Sequence, residues 1–221
     1  MIRKMKNLVS LLRNVQVFSY IYLNYFCKSV IRTDKSKIIP YKYAVIEIAN
    51  GARVFLAGGD IEIGCDRIKG SKAETRIRLR EQAVWSSRGG CRLSYGVSLE
   101  VLQGALLDSK FFTMNSNSVL ISADRITLGH DVMVARNVVI YDSDFHSILD
   151  QEGNILNMAR SVVIGDHVWL GTNVMILKGA KIGNGSIIGA NIVVSDSITE
   201  QTISSRDCRI KVRDNIGGWN R

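Results

Sequence analysis

The sequence predicts an all-β protein built as a parallel β-helix, and three observations lead to that fold. An aliphatic residue occurs at every sixth position from Ile164 to Val194. Four of the five six-residue units in that run have glycine second, and the chain has 19 glycines but one proline. A six-residue period fits neither an α-helix nor a single strand, but it fits a strand of about three residues followed by a turn. Because one such unit cannot bury its aliphatic side chain alone, stacked units must share a continuous core.

The N-terminal segment differs in charge from the rest of the chain. Residues 1–42 hold nine of the 29 Lys and Arg residues but one of the 20 Asp and Glu residues. The remaining 20 basic and 19 acidic residues nearly balance, which argues against a nucleic-acid groove across the main domain. The uncharged run from Val15 to Cys27 is 13 residues long, too short to span a bilayer. We therefore expect a basic amphipathic helical segment that either caps the fold or lies on a membrane surface.

The main domain is predicted to be a β-helix over residues 43–213, followed by a C-terminal tail at 214–221. The six-residue spacing also runs through Leu128, Val134 and Ile140. Residues 44–110 keep strand character without clean six-residue units, and we interpret them as earlier coils of the same helix.

The six-residue spacing breaks after Ile140. The next two slots hold His146 and Glu152, although Ile140 and Ile164 are 24 residues apart, which is four whole units. An unpaired glutamate in an aliphatic column would cost roughly several kcal/mol, so this register is excluded. Residues 143–161 are therefore predicted to leave the coil as a loop, with His146 in its first turn and within reach of a neighbouring subunit.

The repeats from about residue 112 to 213 resemble those of the hexapeptide-repeat acyltransferases, whose fold is a left-handed parallel β-helix. The stretch from "FFTMNSNSVL" to "IYDSDFH" is similar to the galactoside, maltose and xenobiotic O-acetyltransferase branch and to polysaccharide O-acetyltransferases. The resemblance implies a homotrimer with acetyl-CoA sites between subunits. It also implies a catalytic histidine at His146 and a substrate-binding asparagine at Asn115.

The same resemblance implies a set of cofactor contacts. "VWLGTN" is similar to the branch's "VWIG" segment, "IGANIVVSDSI" to its "IGAGSVVTKDI" segment, and "DCRIKV" to its closing segment. The implied acetyl-CoA contacts are Ala135, Trp169, Thr172, Ala190, Ser195 and Arg209. Two departures are visible, because Asp196 stands where that branch has lysine and the closing segment lacks its prolines.

The chemistry implied for His146 is general base catalysis. A neutral hydroxyl attacks a thioester slowly, and an imidazole with a pKa near neutral can accept and release its proton within one turnover. If acceptor and acetyl-CoA bind together, direct transfer needs no acylated enzyme. Asp142, Asp144, Asp150, Glu152 or a backbone carbonyl could orient the ring, and the sequence leaves that choice open.

A metal centre is not expected. His130 and His167 fall at turn positions of their units, where a solvated polar residue needs no further explanation. The three histidines are spaced by 16 and 21 residues, and the four cysteines form no Cys-x-x-Cys pair.

The leading prediction is a cytoplasmic, acetyl-CoA-dependent O-acetyltransferase of a sugar or glycan hydroxyl in polysaccharide biosynthesis. Residues 1–42 would bring it to the inner membrane face, where lipid-linked glycans are assembled. One alternative is N-acetylation of an amino sugar or acetylation of a xenobiotic. Another is a non-catalytic solenoid that serves as a binding or scaffold protein.

Overall fold

The computed structural model describes residues 14–205 as a short helical segment followed by strands in three parallel sheets. Helix α1 (Val17–Ile21) continues directly into a π-helical turn (Tyr22–Phe26). Sheet 1 contains β1 (Val30–Arg32), β4 (Arg53–Ala57), β7 (Val84–Arg88), β10 (Leu106–Ser109), β13 (Arg125–Leu128), β16 (Val162–Ile164), β19 (Lys181–Ile182) and β22 (Ser197–Ile198). Sheet 2 contains β2 (Ile38–Pro40), β5 (Ile61–Cys65), β8 (Cys91–Ser94), β11 (Phe112–Met114), β14 (Val132–Val134), β17 (Trp169–Leu170), β20 (Ile187–Ile188) and β23 (Ile203–Ser204). Sheet 3 contains β3 (Ala44–Ile48), β6 (Thr75–Leu79), β9 (Ser98–Val101), β12 (Val119–Ser122), β15 (Val139–Tyr141), β18 (Met175–Ile176) and β21 (Val193–Val194).

Each turn of the chain adds one strand to each sheet in order, and the strands within every sheet pair in parallel. The all-β fold predicted from the sequence, a left-handed parallel β-helix with a short N-terminal helical segment, is confirmed. The first two strands lie before residue 43, so the first coil begins at Val30, inside the segment predicted to precede the β-helix. Residues 1–13 and 206–221, which include Arg209 and the predicted tail, lie outside the described residues.

The core consists of three stacked columns of inward-facing side chains, one from each sheet. In sheet 1, Leu128 pairs with Ile164, and Ile164 pairs with Ile182. In sheet 3, Ile140 lies over Ile176, and all five of these residues are buried. The six-residue period therefore places at least one aliphatic side chain of each of these strands in the common core, where burial removes it from water.

The helical segment covers the open end of the first coil. Asn24 is buried, and its side chain bonds both backbone groups of Ile38 in the terminal strand β2, donating to the carbonyl at 2.7 Å and accepting from the N–H at 2.9 Å. The Asn24 amide therefore occupies the place that a preceding strand would fill. Gln16 adds bonds to the carbonyls of Tyr41 and Ala44, so the free edge of β2 and of the turn that follows it is satisfied.

Asparagines form a ladder at the corner between sheets 2 and 3. Asn117, Asn137, Asn173 and Asn191 share this corner, and each has a φ near +60°. Side-chain amides link Asn137 to Asn173 at 3.2 Å and Asn173 to Asn191 at 3.0 Å. Asparagine tolerates this left-handed conformation better than other residues with a Cβ, so it makes a sharp corner and also binds its neighbour in the next coil.

Candidate functional site

The segment predicted to leave the coil lies between β15 and β16, at the corner between sheets 3 and 1. Residues 142–161 form an excursion loop folded back on itself, with an antiparallel bridge between Leu149 and Ile155. Its tip turns at Asp150, whose carboxylate accepts bonds from the backbone N–H groups of Glu152 and Asn154. The loop is therefore an ordered hairpin on the side of the β-helix.

Asp142 anchors the base of the excursion loop. Its carboxylate is fully buried and accepts hydrogen bonds from the Ser122 hydroxyl at 3.0 Å and from the N–H groups of Ala123 and Asp124 at 2.6 and 3.0 Å. The Asp142 carbonyl accepts from the N–H of Arg160, where the loop returns. One aspartate thus ties both ends of the loop to the preceding coil, because a buried carboxylate is stable only when its oxygens are satisfied.

A second anchor joins the loop to a later coil. The Lys178 ammonium binds the Asp144 carboxylate at 2.5 Å and the Asn157 carbonyl at 3.0 Å, and the Lys178 side chain is 16% exposed. The hydrogen bond from Lys178, followed by one from Asn157, lowers the pKa of Asp144. Lys178 is therefore engaged in holding the loop.

His146 lies in the exposed first turn of the loop. Its carbonyl accepts a hydrogen bond from the Asn157 amide at 2.8 Å, which fixes the backbone there. His146 lines a cavity of about 240 Å³ together with Leu102 and Ala123, which follow β9 and β12 at the same corner. Within residues 14–205, the ring nitrogens have no hydrogen-bond partner, so none of the four predicted carboxylates orients the ring within one chain.

Four of the predicted site residues share the opposite corner, where the asparagine ladder runs. Asn115, Ala135, Thr172 and Ala190 each lie in the turn that leads from sheet 2 to sheet 3. The coils pack tightly there, since a Cβ on Gly171 would lie 2.8 Å from the backbone nitrogen of Ala190. Asn115, Thr172 and Ala190 are exposed, and Ala135 is half-buried. This corner therefore offers a solvent-facing row of small and polar groups.

The outer faces beside this corner are apolar. On sheet 2, Trp169 is 48% exposed and pairs with Met133 and Ile187 in the adjacent strands. On sheet 3, Met175 lies between Val139 and Val193. The sequence pointed to Trp169 but not to these apolar stripes, because outward positions form a stripe only when the coils are stacked.

The structure does not bring Asn115 and His146 together within one chain. Asn115 precedes β12, whereas the loop with His146 follows β15, which pairs in parallel with β12. The two residues therefore lie at opposite ends of the strands of sheet 3, and β12 alone spans about 13 Å. Ser195 follows β21 and shares the corner of His146.

The other two histidines lie at the third corner, between sheets 1 and 2. Both are exposed, and the Nδ1 atom of His167 lies 2.7 Å from a carboxylate oxygen of Asp131. A hydrogen bond from the N–H of His130 lowers the pKa of Asp166, with a further contribution from Lys110. Over residues 14–205, the histidine, cysteine and acidic side chains form no cluster of three that could hold a metal ion.

In the described part of the chain, no helix has both the length and the apolar character needed to cross a bilayer.

Comparison with known proteins gives one family match and several relatives. Residues 161–195 match the family model described as bacterial transferase hexapeptide, six repeats. Escherichia coli K12 WbbJ, provisionally named a lipopolysaccharide biosynthesis O-acetyl transferase, is 37% identical over 110 residues, which are 46% of this chain and 56% of WbbJ. The galactoside O-acetyltransferase of the same strain is 28% identical over 120 residues, 53% of this chain and 55% of that protein. The chain thus matches about half the length of these relatives.

Among solved structures, the polysialic acid acetyltransferase NeuO aligns with 84% of this chain and 86% of its own at 19% identity, with a TM-score of 0.44. The Vibrio cholerae hexapeptide-repeat acetyltransferase VCA0836, solved with acetyl coenzyme A, aligns with 57% of this chain and 64% of its own at 24% identity and a TM-score of 0.38.

Proposed function

Since the chain is a hexapeptide-repeat protein similar in sequence to O-acetyltransferases, we propose that it transfers the acetyl group of acetyl-CoA to a sugar or glycan hydroxyl in the cytoplasm. The observation that carries this proposal is an exposed histidine displayed on an ordered loop that leaves the β-helix. A core aliphatic position would otherwise follow Ile140, so the loop removes His146 from the packing pattern and presents it to a substrate.

In the proposed reaction His146 acts as the general base. Its neutral nitrogen takes the proton of the acceptor hydroxyl while the hydroxyl oxygen attacks the thioester carbonyl. The tetrahedral intermediate expels the CoA thiolate, which receives the proton from the imidazolium. Asn115 donates a hydrogen bond to the acceptor or to the developing oxyanion, where a fixed dipole is most effective.

The site in this proposal is shared between two chains of a homotrimer. One chain contributes His146 and Ser195, and its neighbour contributes Asn115 and the cofactor row at the asparagine corner. The opposite positions of these groups within one chain support this division. In such a trimer, the His146 corner of each chain contacts the asparagine corner of the next chain. Three contacts of this kind close into a ring under three-fold symmetry.

The surface of the excursion loop also supports a neighbouring chain. Six apolar side chains of the loop are 40 to 65% exposed: Phe145, Ile148, Leu149, Ile155, Leu156 and Met158. An ordered loop with this much exposed apolar surface is typical of an interface. The apolar stripes of Trp169 and Met175 provide a complementary surface beside the asparagine corner.

Acetyl-CoA turnover, followed as released thiol, tests the activity. The acceptor panel contains neutral sugars, amino sugars and polysaccharides, so that N-acetylation is detected as well. His146→Ala should reduce kcat by about 10²- to 10⁴-fold, the usual contribution of a general base. His130→Ala is the matched control, because His130 is also exposed but lies at another corner. Equal turnover by wild type and His146→Ala, or no turnover with any acceptor, would refute the proposal.

Co-expression of two inactive variants tests the shared site. His146→Ala and Asn115→Ala are each expected to be impaired, and a mixed trimer restores a site wherever an intact His146 meets an intact Asn115. Random mixing should recover about a quarter of wild-type activity, since half of the chains supply each group. Failure to recover activity in trimers shown to be mixed would place both groups in one chain.

Trp169→Ala tests the cofactor surface. The Trp169 side chain is 48% exposed in one chain and so is available to the cofactor, and its removal should raise KM for acetyl-CoA. An unchanged KM would exclude Trp169 from the cofactor site.

A further inference from the structure

The helical segment at the N-terminal end exposes a ridge of apolar and aromatic side chains. Of the ten residues from Val17 to Phe26, two are buried, Leu23 and Asn24. Six large apolar or aromatic residues are 40 to 90% exposed, and we call them the aromatic ridge: Val17, Phe18, Ile21, Tyr22, Tyr25 and Phe26. Phe18, at 90%, is almost fully in solvent.

Four residues of the aromatic ridge, Val17, Phe18, Ile21 and Tyr25, are not needed to close the β-helix, whereas Tyr22 and Phe26 line a cavity of about 530 Å³ beside Ile46 of the first coil. Leu23 packs into the core, and Asn24 satisfies the edge of β2 with its side-chain amide. Polar residues on the outer face would cap the coil equally well, and a contiguous exposed apolar patch is unfavourable in water. The composition of the aromatic ridge therefore indicates a contact with something other than this chain's described core.

The charges around the aromatic ridge favour an anionic partner. Lys28 lines a cavity together with Tyr22 and Phe26, and Lys37 lies 4.8 Å from the centre of the Tyr25 ring. Lys35 lies in the turn between β1 and β2, and none of the three lysines forms an ion pair within residues 14–205. The one acidic residue of the first 42 is Asp34, whose carboxylate is occupied by the N–H groups of Ser36 and Gly58. The sequence before the aromatic ridge adds four more basic residues: Arg3, Lys4, Lys6 and Arg13.

We propose that the aromatic ridge inserts into the headgroup region of an anionic membrane. Aromatic rings with a polar tip or edge favour the boundary between water and hydrocarbon, and flanking lysines gain from anionic lipid headgroups. The segment is too short to cross the bilayer, so it lies in the interface. This contact does not depend on the proposed activity.

The fold then sets the height of the candidate site above the membrane. The aromatic ridge covers the first coil, and the excursion loop follows the fifth, four coil spacings away. At about 4.8 Å per spacing, His146 lies about 20 Å from the membrane end along the stack. At that height, the acceptor hydroxyl would belong to a sugar several units away from a lipid carrier. This statement about the acceptor rests on the proposed function.

A trimer would strengthen the contact. Rotation about a three-fold axis parallel to the coil stack would keep three copies of the aromatic ridge at the same end of the assembly, so all three would face one membrane. Three weak interfacial contacts on a rigid assembly bind far more tightly than one.

Vesicle co-sedimentation of the full-length protein tests this proposal. The vesicles are phosphatidylcholine alone, or phosphatidylcholine mixed with an equal amount of phosphatidylglycerol. Wild type should bind the mixed vesicles and lose binding at high salt. Phe18→Ser/Phe26→Ser and Lys28→Glu/Lys35→Glu should each weaken binding about ten-fold or more. Ile203→Ser is the matched control, because Ile203 is 72% exposed in β23, at the other end of the stack.

The outcomes separate this proposal from its competitors. Absence of binding to mixed vesicles, equal binding to neutral vesicles, or unchanged binding by the phenylalanine variant would each overturn it. If that variant instead lowers the oligomer mass in light scattering, the aromatic ridge joins copies of this chain and the membrane proposal is wrong. Turnover of a soluble sugar should be unchanged in both double variants, so failure of the membrane contact and failure of the proposed activity are seen in different assays.

Discussion

The buried carboxylate of Asp142 gives the sharpest test of how the excursion loop is held. It accepts three hydrogen bonds, at 2.6 to 3.0 Å, from the corner formed by Ser122, Ala123 and Asp124. Asp142→Asn keeps the size of the side chain but replaces one acceptor oxygen with an NH₂ group. At least one donor of the corner then loses its acceptor. A hydrogen bond to a charged group contributes about 1.5 to 3 kcal/mol, so the free energy of unfolding should fall by about 2 to 3 kcal/mol.

Urea unfolding followed by circular dichroism measures that loss, and hydrogen exchange at the Ala123 and Asp124 amides locates it. Asp150→Asn is the matched control: its carboxylate also accepts several bonds, but it lies at the solvated tip of the same loop. There water replaces any lost partner, so little or no change in stability is expected. Equal losses for the two variants would refute the inference that Asp142 stabilises the loop through buried hydrogen bonds.

The remaining predictions concern the second anchor, the corner ladder and the core. The pKa of Asp144 is lower in the folded protein than its ordinary value of 3.8, so its pairing with Lys178 contributes its full stability above pH 3.8. This contribution is lost as the pH falls through the lower pKa of the folded state. The protection of loop amides against hydrogen exchange, relative to their intrinsic rates, should therefore fall below about pH 4, and Lys178→Met should remove this acid dependence. Asn173→Ala should cost about 1 to 2 kcal/mol of unfolding free energy because φ is +59°, whereas Asn173→Gly should cost less, as urea midpoints will show. Ile176→Ala should cost about 2 to 5 kcal/mol by opening a cavity in a fully buried column, and a loss below 1 kcal/mol would contradict the stacked core.

The repeat in the last coils predicted the core residue by residue. Ile164, Ile176 and Ile182 were expected to share one axis, and all three are buried in the stacked columns. This success has a local cause: a strand of two or three residues and a tight turn repeat the same inward positions in every six residues, as the buried Val168 and Val174 also show. The earlier coils obscured the pattern because their strands reach five residues and the turn after β5 extends over residues 66–74.

The start of the β-helix was less accessible from the sequence. Val30 and Ile38 are core residues of the first coil, yet they lie in the basic segment that composition separates from the main domain. The first two strands have three residues each, which is too short to show a recognisable spacing of apolar residues. The excess of basic residues therefore made this segment look separate from the β-helix. The asparagine that closes this coil, Asn24, has no sequence signal, because its role depends on the free edge of β2.

The sequence by itself determined the β-helix, the interruption after Ile140 and the histidine within it, because each depends on the spacing of residues along the chain. Tertiary structure alone decided which groups share a corner. It brings Asp142 to Ser122 and Lys178 to Asp144, and it separates Asn115 from His146 by the width of a sheet. The physical reason is that a coil of about 18 residues returns the chain to the same corner, so neighbours in space are set by the stacking of whole coils.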